Sequence, residues 1–122
     1  MLNHSRPRPG QLLFGAVVGV SLIVLFTPES GVPSAPPGTD KVVHLVLFAA
    51  LAWSGRLARL PLLPLAAGLV AYAGLSEVLQ AVLPLGRSGD VLDGLVDVLG
   101  ALLGLLVSAA GRWVLRGRRT TG

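Results

Sequence analysis

The stretch that decides the fold is DVLDGLVDVLGALLGLLVSAAG, residues 90–111. On a helix, at about 100° per residue, its three aspartates fall within an arc of about 60°; they are Asp90, Asp93 and Asp97. Small residues continue this stripe to within about 20° on each side, namely Gly100, Gly104, Ser108 and Gly111. Because small residues allow membrane helices to pack closely, the pattern predicts a stripe that faces the interior of a helix bundle and not lipid. The pair Gly15 and Gly19 is a weaker signal for the same kind of contact.

The windows without charge on either side of this stretch predict the other helices. No charged side chain occurs in four windows, 9–28, 42–55, 60–76 and 98–111. Segments rich in proline, glycine or arginine separate them and predict turns or loops. We therefore predict four helices, near 10–27, 40–58, 62–84 and 90–116, in an all-α, four-helix transmembrane bundle. The domain prediction is a basic N-terminus, 1–9, one four-span membrane domain, 10–116, and a basic tail, 117–122.

The composition also favours a membrane protein. Of the 122 residues, 52% are hydrophobic and 13% are charged, with a mean hydropathy of +0.74. A soluble domain carries about 25% charged residues. The absence of cysteine excludes a disulfide scaffold, a thiolate metal site and a cysteine nucleophile,. The net charge of +4 comes from basic residues scattered among apolar runs, so nucleic acid is not a predicted partner.

The positions of the basic residues predict the orientation. Eight of the ten lie before the first helix, between the second and third, or after the fourth, whereas Lys41 and Arg87 lie on the opposite side. By the positive-inside rule, both termini are predicted to be cytoplasmic. The alternative for the N-terminus is a signal peptide cleaved near Ala35. The long apolar run and the prolines around that point favour a retained first span.

The six acidic residues are the anomaly of this composition, and the predicted topology directs all of them toward the outer face. Glu77 lies about 10 Å inward from Pro84 along its helix, and Asp97 lies too far into the last helix to cap it. An ionisable side chain at such depth is costly and indicates a functional site with a partner. The candidate catalytic residues, which are also the candidate ligands of a divalent cation, are His44, Glu77, Asp93 and Asp97. The candidate binding residues are Asp40, Lys41, Gln80, Arg87 and Asp90, whereas Glu29 is expected to stand apart.

Structural roles are the alternative for several of these residues. Asp90 and Asp93 also suit the first turn of a helix, where a carboxylate offsets the helix dipole. Asp40 can cap the second helix, and His44 can donate a hydrogen bond to a backbone carbonyl. Arg87 can extend its guanidinium into the lipid headgroups. Glu77 and Asp97 fit these alternatives least well.

The polar residues, in their order along the chain, resemble the VanZ-like family of small bacterial membrane proteins. The matching motifs are Asp40-Lys41-x-x-His44, Glu77-x-x-Gln80 and Arg87-x-x-Asp90-x-x-Asp93-x-x-x-Asp97-x-x-Gly100, within roughly residues 38–108. This chain departs from the family at Asp97, where Asn is usual, and at Phe48, where an aromatic hydroxyl is frequent. The resemblance implies a multi-pass protein of the bacterial cytoplasmic membrane and an association with resistance to the glycopeptide teicoplanin.

Four functions can be compared with such a cluster, and they fit it to different degrees or not at all. The first is a membrane-embedded site that acts on or binds a lipid or cell-envelope amphiphile near the outer leaflet, with one acid beside a base or with a divalent cation. The second is a binding or shielding protein without turnover, and a homo-oligomer is compatible with both. An ion or proton transporter is disfavoured because the cytoplasmic halves of the third and fourth helices carry no acid or histidine. A CDP-alcohol phosphotransferase is rejected, because the motif begun by Asp90, Asp93 and Gly94 does not continue.

Overall fold

The computed structural model describes residues 6, 8–27, 36, 38–84 and 91–120, and side chains only as far as 117. Within this part of the chain all regular secondary structure is helical, which confirms the all-α prediction. The helices are α1 (Pro9–Phe26), α2 (Thr39–Leu57), α3 (Leu62–Val82) and α4 (Val91–Thr120). The largest difference from the predicted bounds is the end of α4, expected near 116. The arginines that follow suit a helix C-terminus, because a cation there offsets the helix dipole.

Glycine and proline set the beginnings of the helices. Pro9 occupies the first turn of α1, where its missing N–H costs nothing because that group has no partner within the helix. Gly38 precedes α2 with a φ of 87°, in the left-handed region that favours glycine,. Pro61 precedes α3 with a φ of −58°, close to the value that its ring imposes,. The breaks predicted from composition therefore lie at the ends of the observed helices.

Helices α2 and α4 form the most extensive contact and run parallel to each other. A Cβ atom added to Gly100 would overlap the backbone carbonyl of Leu45, and one added to Gly104 would overlap that of Ala49. The two helices are thus in backbone contact along the predicted small-residue stripe. The prediction that this stripe faces the bundle interior is confirmed from Asp93 to Ser108, where its residues are buried. It is wrong at Gly111, which is exposed, and Asp90 lies outside the described residues.

Consecutive helices run in opposite directions, so both ends of the helical region lie at the same end of the bundle. A Cβ at Gly10 in α1 would overlap the carbonyl of Leu57, at the end of α2. Near the end of α4, Arg112 Nη2 donates to the carbonyl of Arg56 at 3.1 Å. We call this the basic end and the opposite one the acidic end.

The prediction that Gly15 and Gly19 allow close helix packing is wrong within the described part of the chain. A Cβ atom at either glycine would meet nothing within 4 Å. Helix α1 instead packs through Gly10 and through the buried residues Ser21 and Leu25. Glycine spacing alone does not state which face of a helix meets its neighbour, and here the larger side chains decide it.

A core of apolar side chains lies between α1, α2 and α3. Phe48 and Leu25 have no exposed surface, and the rings of Phe48 and Tyr72 lie 5.5 Å apart. The outside of the bundle is equally apolar, with Leu63 and Val91 exposed by 78% and 80%. Three of the described helices are long and apolar enough to cross a membrane. These are α1, α3 and the part of α4 from Val91 to Gly117. A helix bundle with apolar residues inside and outside is typical of a membrane protein.

Candidate functional site

The parallel contact of α2 and α4 brings the polar side chains of both helices together at the acidic end. Lys41 Nζ donates to Asp93 Oδ1 at 2.9 Å. One turn deeper, His44 Nδ1 donates to Asp97 Oδ1 at 2.7 Å. Both pairs join residues at nearly the same separation along the chain, as expected for two helices that run side by side in one direction. We call these four residues with Glu77 the acidic-end cluster.

Burial increases sharply from the first pair to the second. The side chains of Lys41 and Asp93 are 37% and 11% exposed, whereas those of His44 and Asp97 are 4% and 0% exposed. The Lys41–Asp93 pair is therefore the entrance of the cluster, and His44–Asp97 is its interior. A buried carboxylate that accepts a hydrogen bond from an imidazole is an arrangement that can orient the ring and hold or transfer a proton.

Glu77 reaches the same point from α3. A Cβ atom at Gly94 would lie 3.5 Å from Glu77 Cγ, so this side chain packs against the turn of α4 between the two aspartates. Glu77 is half-buried, with its Oε1 atom buried. His44, Glu77 and Asp97 each present a ligand atom, and these atoms lie within 4.8 Å of one another. Three helices thus converge on one imidazole and two carboxylates, a donor set that suits a divalent transition-metal ion.

Most of the charged groups that the structure describes at this end are negative. Among the described residues, three carboxylates, those of Glu77, Asp93 and Asp97, lie near one ammonium group and one imidazole. In a low-dielectric interior such a concentration of negative charge attracts a cation or a proton. The site therefore suits a positively charged ion, or an anionic ligand that arrives with one.

The other predicted binding residues have separate positions. Gln80 is buried, and its Nε2 donates to the carbonyl of Leu25 at 2.7 Å. This bond satisfies a carbonyl in the last turn of α1, where the helix leaves such groups without an intrahelical partner. Asp40 is exposed in the first turn of α2, which agrees with a favourable interaction with the helix dipole,. Arg87, Asp90 and Glu29 lie outside the described residues, so their predicted roles stay predictions.

A hydrogen bond deeper in the bundle is not among the contacts predicted from the sequence. Ser21 and Tyr72 share a hydrogen bond of 2.8 Å between their hydroxyl groups, which joins α1 to α3. The signal was that Tyr72 is the single tyrosine of the chain and lies within an apolar helix. A phenol in such surroundings generally requires a hydrogen-bond partner.

The family resemblance can be compared with these positions in the structure. Most of its motifs lie in described helices, namely Asp40 to His44, Glu77 to Gln80 and Asp93 to Gly100. Apart from Asp40, the ionisable residues of these motifs form the acidic-end cluster. The part formed by Arg87 and Asp90 lies outside the described residues. No family model, curated protein or solved structure matches this chain.

Proposed function

We propose that this chain is a four-span, VanZ-like membrane protein whose acidic-end cluster binds, and chemically alters, the polar headgroup of a lipid or cell-envelope amphiphile. The observation that carries the proposal is the fully buried His44–Asp97 pair, with Glu77 beside it, within a bundle whose surface is apolar. An intramembrane ionisable group is costly and is kept where a ligand pathway or a reaction needs it. A headgroup is the polar ligand that a bilayer supplies at the end of such a bundle.

The proposed orientation follows from the segregation of charge. Arg56 and Arg112 lie together at the basic end, where both ends of the helical region also lie. By the positive-inside rule this end faces the cytoplasm, and the acidic-end cluster faces the outer leaflet of a bacterial cytoplasmic membrane. For this topology α2 must cross as well, and its 19 residues span about 28 Å as a helix,.

The chemistry proposed for the cluster is proton transfer next to a bound anionic or polar group. Lys41, half-buried at the entrance, supplies a positive charge for a phosphate or carboxylate, and Arg87 is a second candidate from the sequence,. His44, held by Asp97, is the proposed base, and Glu77 is the proposed acid on the facing helix. The same geometry supports ligand binding without turnover, which is the alternative function.

Proton or ion transport is supported less well. In the described parts of α3 and α4, no acidic residue or histidine lies between Glu77 or Asp97 and the basic end. Two of the buried serines on that side of the cluster donate to carbonyls of their own helices. Ser76 donates to Ala73 O at 2.9 Å, and Ser54 donates to Ala50 O at 2.6 Å. A relay across the bilayer needs polar groups that continue to the other end.

The test is a comparison of the lipids and cell-wall precursors of cells with and without the gene, by mass spectrometry. We expect an altered lipid or precursor that is restored by the wild type and by Ser108→Ala, a change near the basic end, but not by Glu77→Gln. The Gln variant keeps the shape of the side chain and removes its charge, so membrane expression at the wild-type level is the control. Teicoplanin sensitivity is measured in the same strains.

Three outcomes would count against the proposal in different ways. A phenotype that rises with the amount of protein and leaves every lipid and precursor unchanged supports binding without turnover. A well-expressed Glu77→Gln protein with full activity removes Glu77 as the acid. If no lipid or precursor of the envelope depends on the gene, the amphiphile function itself is wrong.

A further inference from the structure

One carboxylate oxygen of the acidic-end cluster is buried without a hydrogen-bond donor among the described residues. Asp97 has no exposed surface, and its Oδ1 accepts the hydrogen bond from His44. Its other oxygen, Oδ2, is also buried and accepts no hydrogen bond from the described residues. A buried acceptor without a donor costs about 1–3 kcal/mol, and more if it is charged. Something that carries positive charge is expected at this oxygen.

The spacing of the neighbouring donors fits a metal ion. The ligand atoms of His44, Glu77 and Asp97 lie within 4.8 Å of one another. Around a tetrahedral ion with bonds of about 2.0–2.2 Å, ligand atoms are about 3.3–3.6 Å apart. Side-chain torsions must close the remaining difference, and His44 and Asp97 must exchange their 2.7 Å hydrogen bond for bonds to the ion. The proton that His44 donates in that bond is then released, as metal binding requires of its ligands. The ligands also come from three helices, so the ion would join α2, α3 and α4.

The backbones of α2 and α4, which carry two of the three side chains, are held in place by packing. Gly100 of α4 lies against the backbone carbonyl of Leu45 in α2. Gly100 is one helical turn from Asp97, and Leu45 directly follows His44 in the chain. This contact fixes the distance between α2 and α4 at the depth of the cluster. Preorganised ligands on rigid helices are a requirement for a tight metal site.

The donor set selects the class of ion. One imidazole nitrogen and two carboxylate oxygens favour a borderline divalent transition metal over Mg²⁺ or Ca²⁺, which prefer oxygen ligands alone. Three protein ligands leave a coordination position open for water or for an oxygen atom of a ligand. We propose that His44, Glu77 and Asp97 bind one divalent transition-metal ion, such as Zn²⁺, with an open position for an anionic group. This site rests on the proposed function and deepens it, since the ion would hold the headgroup. With the ion bound, His44 and Glu77 act as ligands, and this role replaces the base and acid roles proposed above. The site is tested without any amphiphile.

The experiment uses the purified full chain in detergent, stripped with a chelator and then titrated with Zn²⁺. We expect one bound ion per chain by elemental analysis and a rise in the melting temperature with Zn²⁺ but not with Mg²⁺. Asp97→Asn and Glu77→Gln should each weaken binding more than about 100-fold, because losing even an outer-shell partner costs 10–100-fold. The matched control is Glu29→Gln, which removes the same charge from the proline-rich stretch and should bind as the wild type does.

Wild-type protein that binds no Zn²⁺ overturns the site, as does an unchanged affinity in both Asp97→Asn and Glu77→Gln. If these variants do not fold, the visible absorption of Co²⁺ bound to the wild type decides, because an imidazole–carboxylate ligand set gives bands that solvated Co²⁺ lacks. The two proposals also fail separately. Zn²⁺ binding with an unchanged envelope supports the site and contradicts the function, whereas envelope activity of a wild-type protein that binds no Zn²⁺ contradicts the site alone.

Discussion

At the scale of the residue, Asp97 is the most informative position in the chain. It has no exposed surface in a helix that is apolar enough to cross a membrane. A charged aspartate at the centre of a membrane helix costs about 2.5–3.5 kcal/mol, so its neighbours must offset that cost. His44 supplies one hydrogen bond of 2.7 Å, and the pair is shielded from water on all sides. The two residues therefore act as one unit.

We predict that a double-mutant cycle on this pair shows strong coupling. His44→Ala and Asp97→Ala should each lower the free energy of unfolding by about 1–3 kcal/mol, because each leaves a buried polar partner without its bond. The double variant should lose less than the sum, with a coupling energy of about 0.5–2 kcal/mol. The measurement is unfolding in mixed micelles. Ser54→Ala, whose hydroxyl bonds within its own helix, is the control, and simple additivity would contradict the pairing.

At the scale of the element, the contact between α2 and α4 determines where every residue of the cluster lies. Gly100 and Gly104 allow the backbones to touch, and the parallel direction pairs Lys41 with Asp93 and His44 with Asp97. In a membrane the hydrophobic effect does not drive helices together, so close packing and interhelical hydrogen bonds must do so. Glycine at these two positions is thus a requirement of the site as well as of the fold.

We predict opposite effects for the same substitution at two glycines of α4. Gly104→Ala should destabilise the bundle by about 1–3 kcal/mol, because the added methyl group overlaps the Ala49 carbonyl,. Gly111→Ala meets nothing within 4 Å. It should be neutral or stabilising by up to about 1 kcal/mol, the gain in helix propensity. Unfolding in mixed micelles compares the two, and equal effects would show that α2 and α4 do not pack through Gly104.

At the scale of the whole molecule, charge is divided between the two ends of the bundle. The carboxylates of the cluster lie at one end, whereas Arg56 and Arg112 meet at the other. The sides of the bundle are apolar, as a lipid environment requires,. This division makes the membrane orientation testable without reference to any ligand.

We predict that cysteines placed at the two ends are labelled from opposite sides of the membrane. The chain has no cysteine, so single variants are unambiguous. In intact cells, an impermeant maleimide should label Pro36→Cys and Leu83→Cys at the acidic end. It should label Pro9→Cys, Leu57→Cys and Gly117→Cys at the basic end only after permeabilisation. Labelling of Leu57→Cys and Pro36→Cys from the same side would show that α2 does not cross.

The helices and the inward stripe of α4 were predictable from sequence because both depend on local pattern. Charge-free windows bounded by proline and glycine place four helices close to their observed ends. The angular clustering of Asp93, Asp97, Gly100 and Gly104 places them on one inward face. The end of α4 was less predictable, since arginine is compatible with a helix and with a tail.

The sequence by itself therefore determined that this is a helical protein with membrane-spanning character and with carboxylates directed inward. Only the tertiary structure decided which side chains meet. It pairs His44 with Asp97, brings Glu77 to them from α3, and assigns Gln80 to the Leu25 carbonyl of α1. The reason is that a helical pattern states which face of a helix is special but not the register or partner of that face. These depend on where two backbones can touch, which here is at Gly100 and Gly104 and not at Gly15 and Gly19.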